Sequence, residues 1–89
     1  MLTSKQRAYL RALANKLEPV VIIGKGDIDE DVIKQVDDAL EARELIKIKV
    51  LDTNSSDAKE ACRIISRETH SEGVQVIGNK FVLYREREN

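Results

Sequence analysis

The chain has 89 residues, 42% of them hydrophobic and 35% charged, which suits one small folded domain with a heavily solvated surface and argues against a disordered chain. Its apolar runs are only a few residues long, so neither a transmembrane span nor a secretory signal is expected. Cys62 is the single cysteine and has no second thiol for a disulfide or a metal site, which makes a reducing cytoplasm the expected setting.

The net charge of −1 argues against a simple basic nucleic-acid binder, yet it averages over a division. Lys5, Arg7, Arg11, Lys16 and Lys25 stand against Glu18 alone over residues 1–26, a local balance of +4. Residues 27–44 carry eight carboxylates against Lys34 and Arg43, a balance of −6. One basic and one acidic face are expected, and a polyanion responds to the potential of a face more than to the total.

Thr3-Ser-Lys-Gln6 reads as a capping box that opens a helix from about Ser4 to Leu17. Leu10, Leu13 and Leu17 form its inward stripe, bordered by Tyr9 and Ala14. Arg7 and Arg11 share one flank and Lys5 and Lys16 the other, either as a solvated basic face or as a contact surface. Pro19 stops the helix, and Val20–Ile23 lacks polar alternation, as a strand buried on both faces or near a sheet centre would. Gly24-Lys25-Gly26 then makes a tight loop, after which Asp27-Ile-Asp-Glu30 offers a capping box for a second helix. Val32, Ile33, Val36, Ala39 and Leu40 are its apolar face to near Ala42, and its outer face is acidic.

Leu45–Leu51 alternates with period two, Ile46, Ile48 and Val50 against Lys47 and Lys49, so one sheet face is expected to be open to water or a ligand. A third helix follows the Asp52–Ser56 loop and runs to about Thr69, with Ala58, Ala61, Cys62 and Ile65 inward; Cys62 reads as a small core residue rather than a nucleophile. Val74–Ile77 and Lys80–Tyr84 form a hairpin in which Gly78 suits the first central position of a type II′ turn. A single domain over 1–85 with a charged tail at 86–89 is expected, Arg85 opening the charged, fraying end.

The order α-β-α-β-α-β-β implies an α/β chain of the two-layer α+β kind, a mixed four-stranded sheet with the last strand antiparallel. The Gly24–Gly26 loop, the Asp52–Ser56 loop and the Gly78–Asn79 turn then share one edge, with Lys80 beside it. If the first helix packs antiparallel to the first strand, Lys5 and Arg7 return to that edge.

Catalytic chemistry finds little to use. His70 is the lone histidine and sits at a helix end, where capping carbonyls or meeting the dipole accounts for it. Asp29, Glu30 and Asp31 lack a calcium-loop pattern, and Gly24-Lys25-Gly26 is neither a P-loop nor a dinucleotide fingerprint. No catalytic residue, metal site, cofactor or small-molecule substrate is expected. A glycine loop between strand and helix either simply connects them or clamps a sugar-phosphate backbone with basic side chains beside it. Tyr9, Phe81 and Tyr84 are too few for base-stacking platforms, so shape and backbone recognition of structured RNA is the expected mode.

Four blocks carry a family resemblance: Leu2-Thr-Ser-Lys-Gln-Arg7, Pro19–Gly26, Ala39–Val50 and Val74–Arg85. In order, they resemble the YhbY-like proteins, which carry the CRM domain (chloroplast RNA splicing and ribosome maturation). The resemblance implies a fold similar to the C-terminal domain of initiation factor three and a non-catalytic, RNA-binding function. It further implies partnership with ribosomal RNA in a precursor particle of the large subunit, away from membranes. The family's Gly-x-x-Gly loop falls on Gly24, Lys25, Gly26 and Asp27, where the fourth glycine is replaced by aspartate. Asp27 either caps the second helix or weakens the grip of the loop. The expected RNA-binding set is Lys5, Arg7, Arg11, Gly24, Lys25, Gly26 and Lys80. The alternative is a protein-interaction module that docks on ribosomal proteins through the acidic helix.

Overall fold

The structure, a computed structural model, describes residues 2–24, 28–51 and 55–86. Helix α1 spans Ser4–Ala14 and opens with the expected box: Gln6 N–H donates to Thr3 Oγ1 at 3.0 Å and Thr3 N–H to Gln6 Oε1 at 2.9 Å. It ends three residues before Leu17, because the chain tightens into i→i−3 bonds, Lys16 N–H to Leu13 O and Leu17 N–H to Ala14 O at 3.0 Å. That turn still delivers Leu17 to the core beside α1 and leads into β1, Pro19–Ile23.

Helix α2, Glu30–Arg43, is capped by Asp29, whose carboxylate accepts from Val32 N–H at 3.0 Å. The cap therefore stands two residues past the expected Asp27, which lies outside the described residues. Ile28, just before the cap, and Ile33, in the second turn, both pack against the main core as a hydrophobic staple, and this fixes where the helix starts. Strand β2, Leu45–Val50, leads to α3, Ser55–Thr69. Helix α3 closes in a Schellman motif: Ser71 N–H reaches Ser66 O at 2.9 Å, and His70 N–H reaches Arg67 O at 3.4 Å. His70 holds the left-handed position of that motif with φ 55°. Strands β3, Glu72–Ile77, and β4, Lys80–Tyr84, meet through Gly78, whose φ of 58° is the positive value a type II′ turn places at its first central residue.

The sheet order is β1-β2-β4-β3, with β1 parallel to β2 and β4 antiparallel to both β2 and β3. The expected element order and the antiparallel last strand are observed. Strand β1 is nevertheless an edge strand and is not buried on both faces, since Val20 and Ile22 are 41% and 58% exposed. Only Val21 and Ile23 enter the core.

Period-two alternation gives the sheet two unlike faces. Ile46, Ile48, Val50, Phe81 and Leu83 join Val36, Leu40, Ala58 and Ile65 of α2 and α3 in the main core. On the opposite face Val74 and Val82 pack with Leu10 and Ala14 of α1, flanked by Leu45 and Tyr84. Helix α1 thus adds a partial third layer to the expected two. Leu13, expected inward, is 44% exposed, because Ala14 and Leu10 take the positions over the sheet. Cys62 lies in the main core, its thiol pushed above its ordinary pKa by burial.

Arg85 does not fray. Its N–H donates to Glu44 O at 2.9 Å, and its guanidinium donates to Asp37 Oδ1 at 2.6 Å, Thr69 O at 2.8 Å and Glu41 Oε2 at 3.3 Å. One side chain thereby joins the end of β4 to α2 and to the last turn of α3, whose terminal carbonyls a cation suits. Arg85→Ala is expected to lower unfolding free energy in urea by about 2 kcal/mol, since the Thr69 and Asp37 acceptors lose a charged donor. His70→Gly should raise it by about 1 kcal/mol by relieving the left-handed residue. Alkylation of Cys62 by iodoacetamide at pH 8 should be far slower in the folded chain than in urea, because burial holds the thiol protonated and covered.

Candidate nucleic-acid interface

Helix α1 covers only part of its sheet face, and the strand register lays out what it leaves open. At the covered end Leu45 pairs with Tyr84 and Tyr84 with Glu72. The next row runs from Lys47 through Val82 to Gln75. The last row runs from Ile22 through Lys49 and Lys80 to Ile77. Ile22 and Ile77, 58% and 59% exposed, flank the lysine column of β2 and β4 with aliphatic surface. The side-chain ammonium groups of Lys47, Lys49 and Lys80 make no ion pair or hydrogen bond with the described residues. Unspent ammonium groups beside exposed aliphatic side chains form a surface that can take a polyanion's phosphates and the flat parts of its sugars and bases.

The last row ends at the edge where Gly24 leaves β1 and Gly78-Asn79 turns between β3 and β4, the edge expected from the element order. Val50 N–H donates to Asn79 O at 2.7 Å and Leu51 N–H to Ile23 O at 2.9 Å, which ties the edge together. Gly24 is exposed, keeps no positive φ, and an added Cβ would meet open space. Neither backbone conformation nor packing in the described residues calls for glycine at this position. Lys25, Gly26 and Asp27 lie outside the described residues, so the loop is followed only to its first glycine.

The basic residues of α1 fall elsewhere than expected. Arg7 donates from Nη1 to Gly73 O, near the start of β3, which places the first turns of α1 at the edge opposite Gly24. Lys5 shares that end, and the expectation that Lys5 and Arg7 return to the glycine edge is corrected. The reason is packing: Leu10 and Ala14 sit on Val74 and Val82 with the C-terminal end of α1, Asn15, pointing toward Lys47 and Lys80. Arg7, Arg11 and Asn15 follow at four-residue spacing along one flank. They make a track from the far edge up to the lysine rows. Of the expected set, Gly24 and Lys80 stand together, Arg11 lies midway, and Lys5 and Arg7 stand apart.

Lys47 and Lys49 belong to this surface although they were not among the expected contacts. Their alternation already announced an open face; what the sequence left unsaid is that the cover of α1 would run from Leu45 to Val82 and stop there. Gln75 joins the same face through a register shift between Gly73 and Gln75, a bulge that puts it on the side of Val74. Gly73, a glycine inside the strand, is the one local mark of that shift.

Glu60 is held below the ordinary carboxylate range by a hydrogen bond from Arg63 and by that residue's positive charge. The Tyr84 phenol is pushed up by burial and then by the negative charges of Glu44 and Glu86. No group of three or more His, Cys, Asp or Glu side chains among the described residues is arranged to hold a metal, and no described helix is long and apolar enough to cross a membrane. The acidic face of α2 is partly used inside the molecule, Asp37 and Glu41 by Arg85 and Asp38 by Lys34 at 3.2 Å.

Comparison with known proteins agrees with this architecture. The chain is 44% identical to the probable RNA-binding protein YqeI of Bacillus subtilis over 86 residues, covering 97% of this chain and 90% of YqeI. It is 39% identical to an RNA-binding protein of Haemophilus influenzae over 84 residues, covering 94% of this chain and 85% of that one. The solution structure of SAV1595 from Staphylococcus aureus superposes with a TM-score of 0.88 at 54% identity, covering all of this chain and 93% of SAV1595. With the CRS1 / YhbY (CRM) domain matched over residues 2–85, the chain belongs to that family.

Proposed function

We propose that this protein is a non-catalytic RNA-binding protein that grips structured RNA by its backbone, acting without a cofactor on ribosomal RNA of a large-subunit precursor. Family membership supports the RNA partner, and the observation that carries the surface is the half-open sheet face whose three lysines, with unpaired side chains, run toward the edge that holds Gly24. A glycine that the described fold does not require is accounted for if a backbone from another molecule must come close. Lys25 and Gly26 would continue that approach, Lys49, Lys80 and Lys47 would neutralise phosphates, and Arg11 would extend the contact along α1. Lys5 and Arg7 would engage only an RNA long enough to reach the far edge. The rival docking through α2 is less favoured, because Asp37 and Glu41 already answer Arg85.

Binding of a structured ribosomal RNA fragment, titrated across salt concentrations, tests the surface. Lys49→Ala and Lys80→Ala should each lower the salt slope by about one and weaken all RNAs alike. Gly24→Ala should keep wild-type stability and still weaken binding. A Lys49→Ala, Lys80→Ala double variant with wild-type affinity and slope would place the interface elsewhere. Crosslinking in cells with sequencing of the attached RNA identifies the target, and an absence of large-subunit ribosomal RNA would overturn the assembly role.

A further inference from the structure

A depression opens in the row beyond the end of α1, lined by Asn15, Lys47, Gln75, Ile77, Lys80 and Val82. Three features of the chain create it. Helix α1 stops at Ala14, which with Leu10 packs on Val82, so no further turn of helix extends past that residue toward Lys80 and Ile77. The bulge between Gly73 and Gln75 brings the Gln75 side chain level with Val82, opposite Lys47. The next row adds Lys80 and Ile77 as the outer wall. The free volume of about 160 Å³ is several times the roughly 30 Å³ share of one water, room for a flat ring and too little for a duplex.

The lining is unlike the rest of the face. Ile77 supplies an exposed aliphatic wall and the buried Val82 closes the bottom, while Asn15 and Gln75 each bring an amide with both a donor and an acceptor. Neither amide is hydrogen-bonded to a described residue, and the two lysines stand at the rim unpaired. Backbone gripping needs only cations; paired amides beside an aliphatic wall add the means to read a base edge.

We infer that this depression takes one unpaired nucleobase of the bound RNA, its face against Ile77, its edge read by the Asn15 and Gln75 amides and its phosphate held by Lys47 and Lys80. The inference rests on the RNA-binding reading and adds base selectivity to it, without aromatic stacking. The lysines contribute affinity common to all RNAs, and the amides contribute discrimination.

The test uses the full chain and five RNA hairpins of one stem sequence, one fully paired and four with a single bulged A, C, G or U, followed by fluorescence anisotropy. The wild type should bind at least one bulged hairpin about fivefold or more tightly than the least favoured base. Gln75→Ala and, separately, Asn15→Ala should compress that spread to within about twofold while leaving the salt slope unchanged, an outcome that mere loss of fold does not produce. Lys47→Ala should lower the slope and leave the spread in place. Equal wild-type binding of all five hairpins, or a spread that survives both amide variants, overturns base capture while RNA binding stands. Failure of the wild type to bind any of the five overturns the RNA-binding reading and this inference together.

Discussion

The complete burial of Ile46 and Ile48 of β2 and Phe81 and Leu83 of β4 under α2 and α3 is the constraint on which the rest of the molecule depends. Each such side chain contributes about 1.5–3 kcal/mol by leaving water, so the register of the two central strands is strongly held. Because successive residues point to opposite faces, the same register sends Lys47, Lys49 and Lys80 to the other side together with Leu45, Val82 and Tyr84. The lysines lie in line as a consequence of the core behind them. A one-residue slip of β2 would turn Lys47 and Lys49 inward and expose Ile46 and Ile48.

The second face is finished by a helix that is too short for it. Helix α1 secures itself with the bond from Arg7 to Gly73 O at its start and with Leu10 and Ala14 on Val74 and Val82, and it goes no further. Its tightened last turn spends Lys16 and Leu17 on reaching Pro19 rather than on covering the sheet. What remains uncovered is amphipathic, cationic in the middle and aliphatic at both rims, and it adjoins the glycine edge. The same economy explains why the depression beside Asn15 exists at all.

Charge is divided by use as well as by position. The carboxylates of α2 read as an outward acidic face, yet Arg85 draws Asp37 and Glu41 into the joint between β4, α2 and α3. The cations of β2 and β4 have no such internal partner among the described residues. Gly78 and Gly24 divide in a similar way: the first needs glycine for its φ of 58°, whereas the described fold makes no such demand of the second.

The features legible in the sequence are those determined within a few residues of chain. The Thr3–Gln6 box, the alternation of Leu45–Val50, the inward stripe of α3 and the positive φ at Gly78 all rest on neighbouring groups, so residue types and spacing suffice. The element order then constrained the mixed sheet, and the four family blocks carried the family. Features that depend on which surface meets which were decided only by tertiary packing. An apolar run such as Val20–Ile23 looks alike at a sheet centre and at an edge, and only the order β1-β2-β4-β3 settles it. Asp27 reads as the cap of α2 from the sequence, and only the packing of Ile28 and Ile33 against the main core, with Val32 N–H donating to Asp29, shows the cap at Asp29. Arg85 looks like a tail residue until α2 and α3 are seen to converge on its guanidinium. The direction of α1, the reach of its cover and the bulge that turns Gln75 toward Lys47 likewise follow from contacts between residues far apart in the chain, which composition and periodicity do not encode.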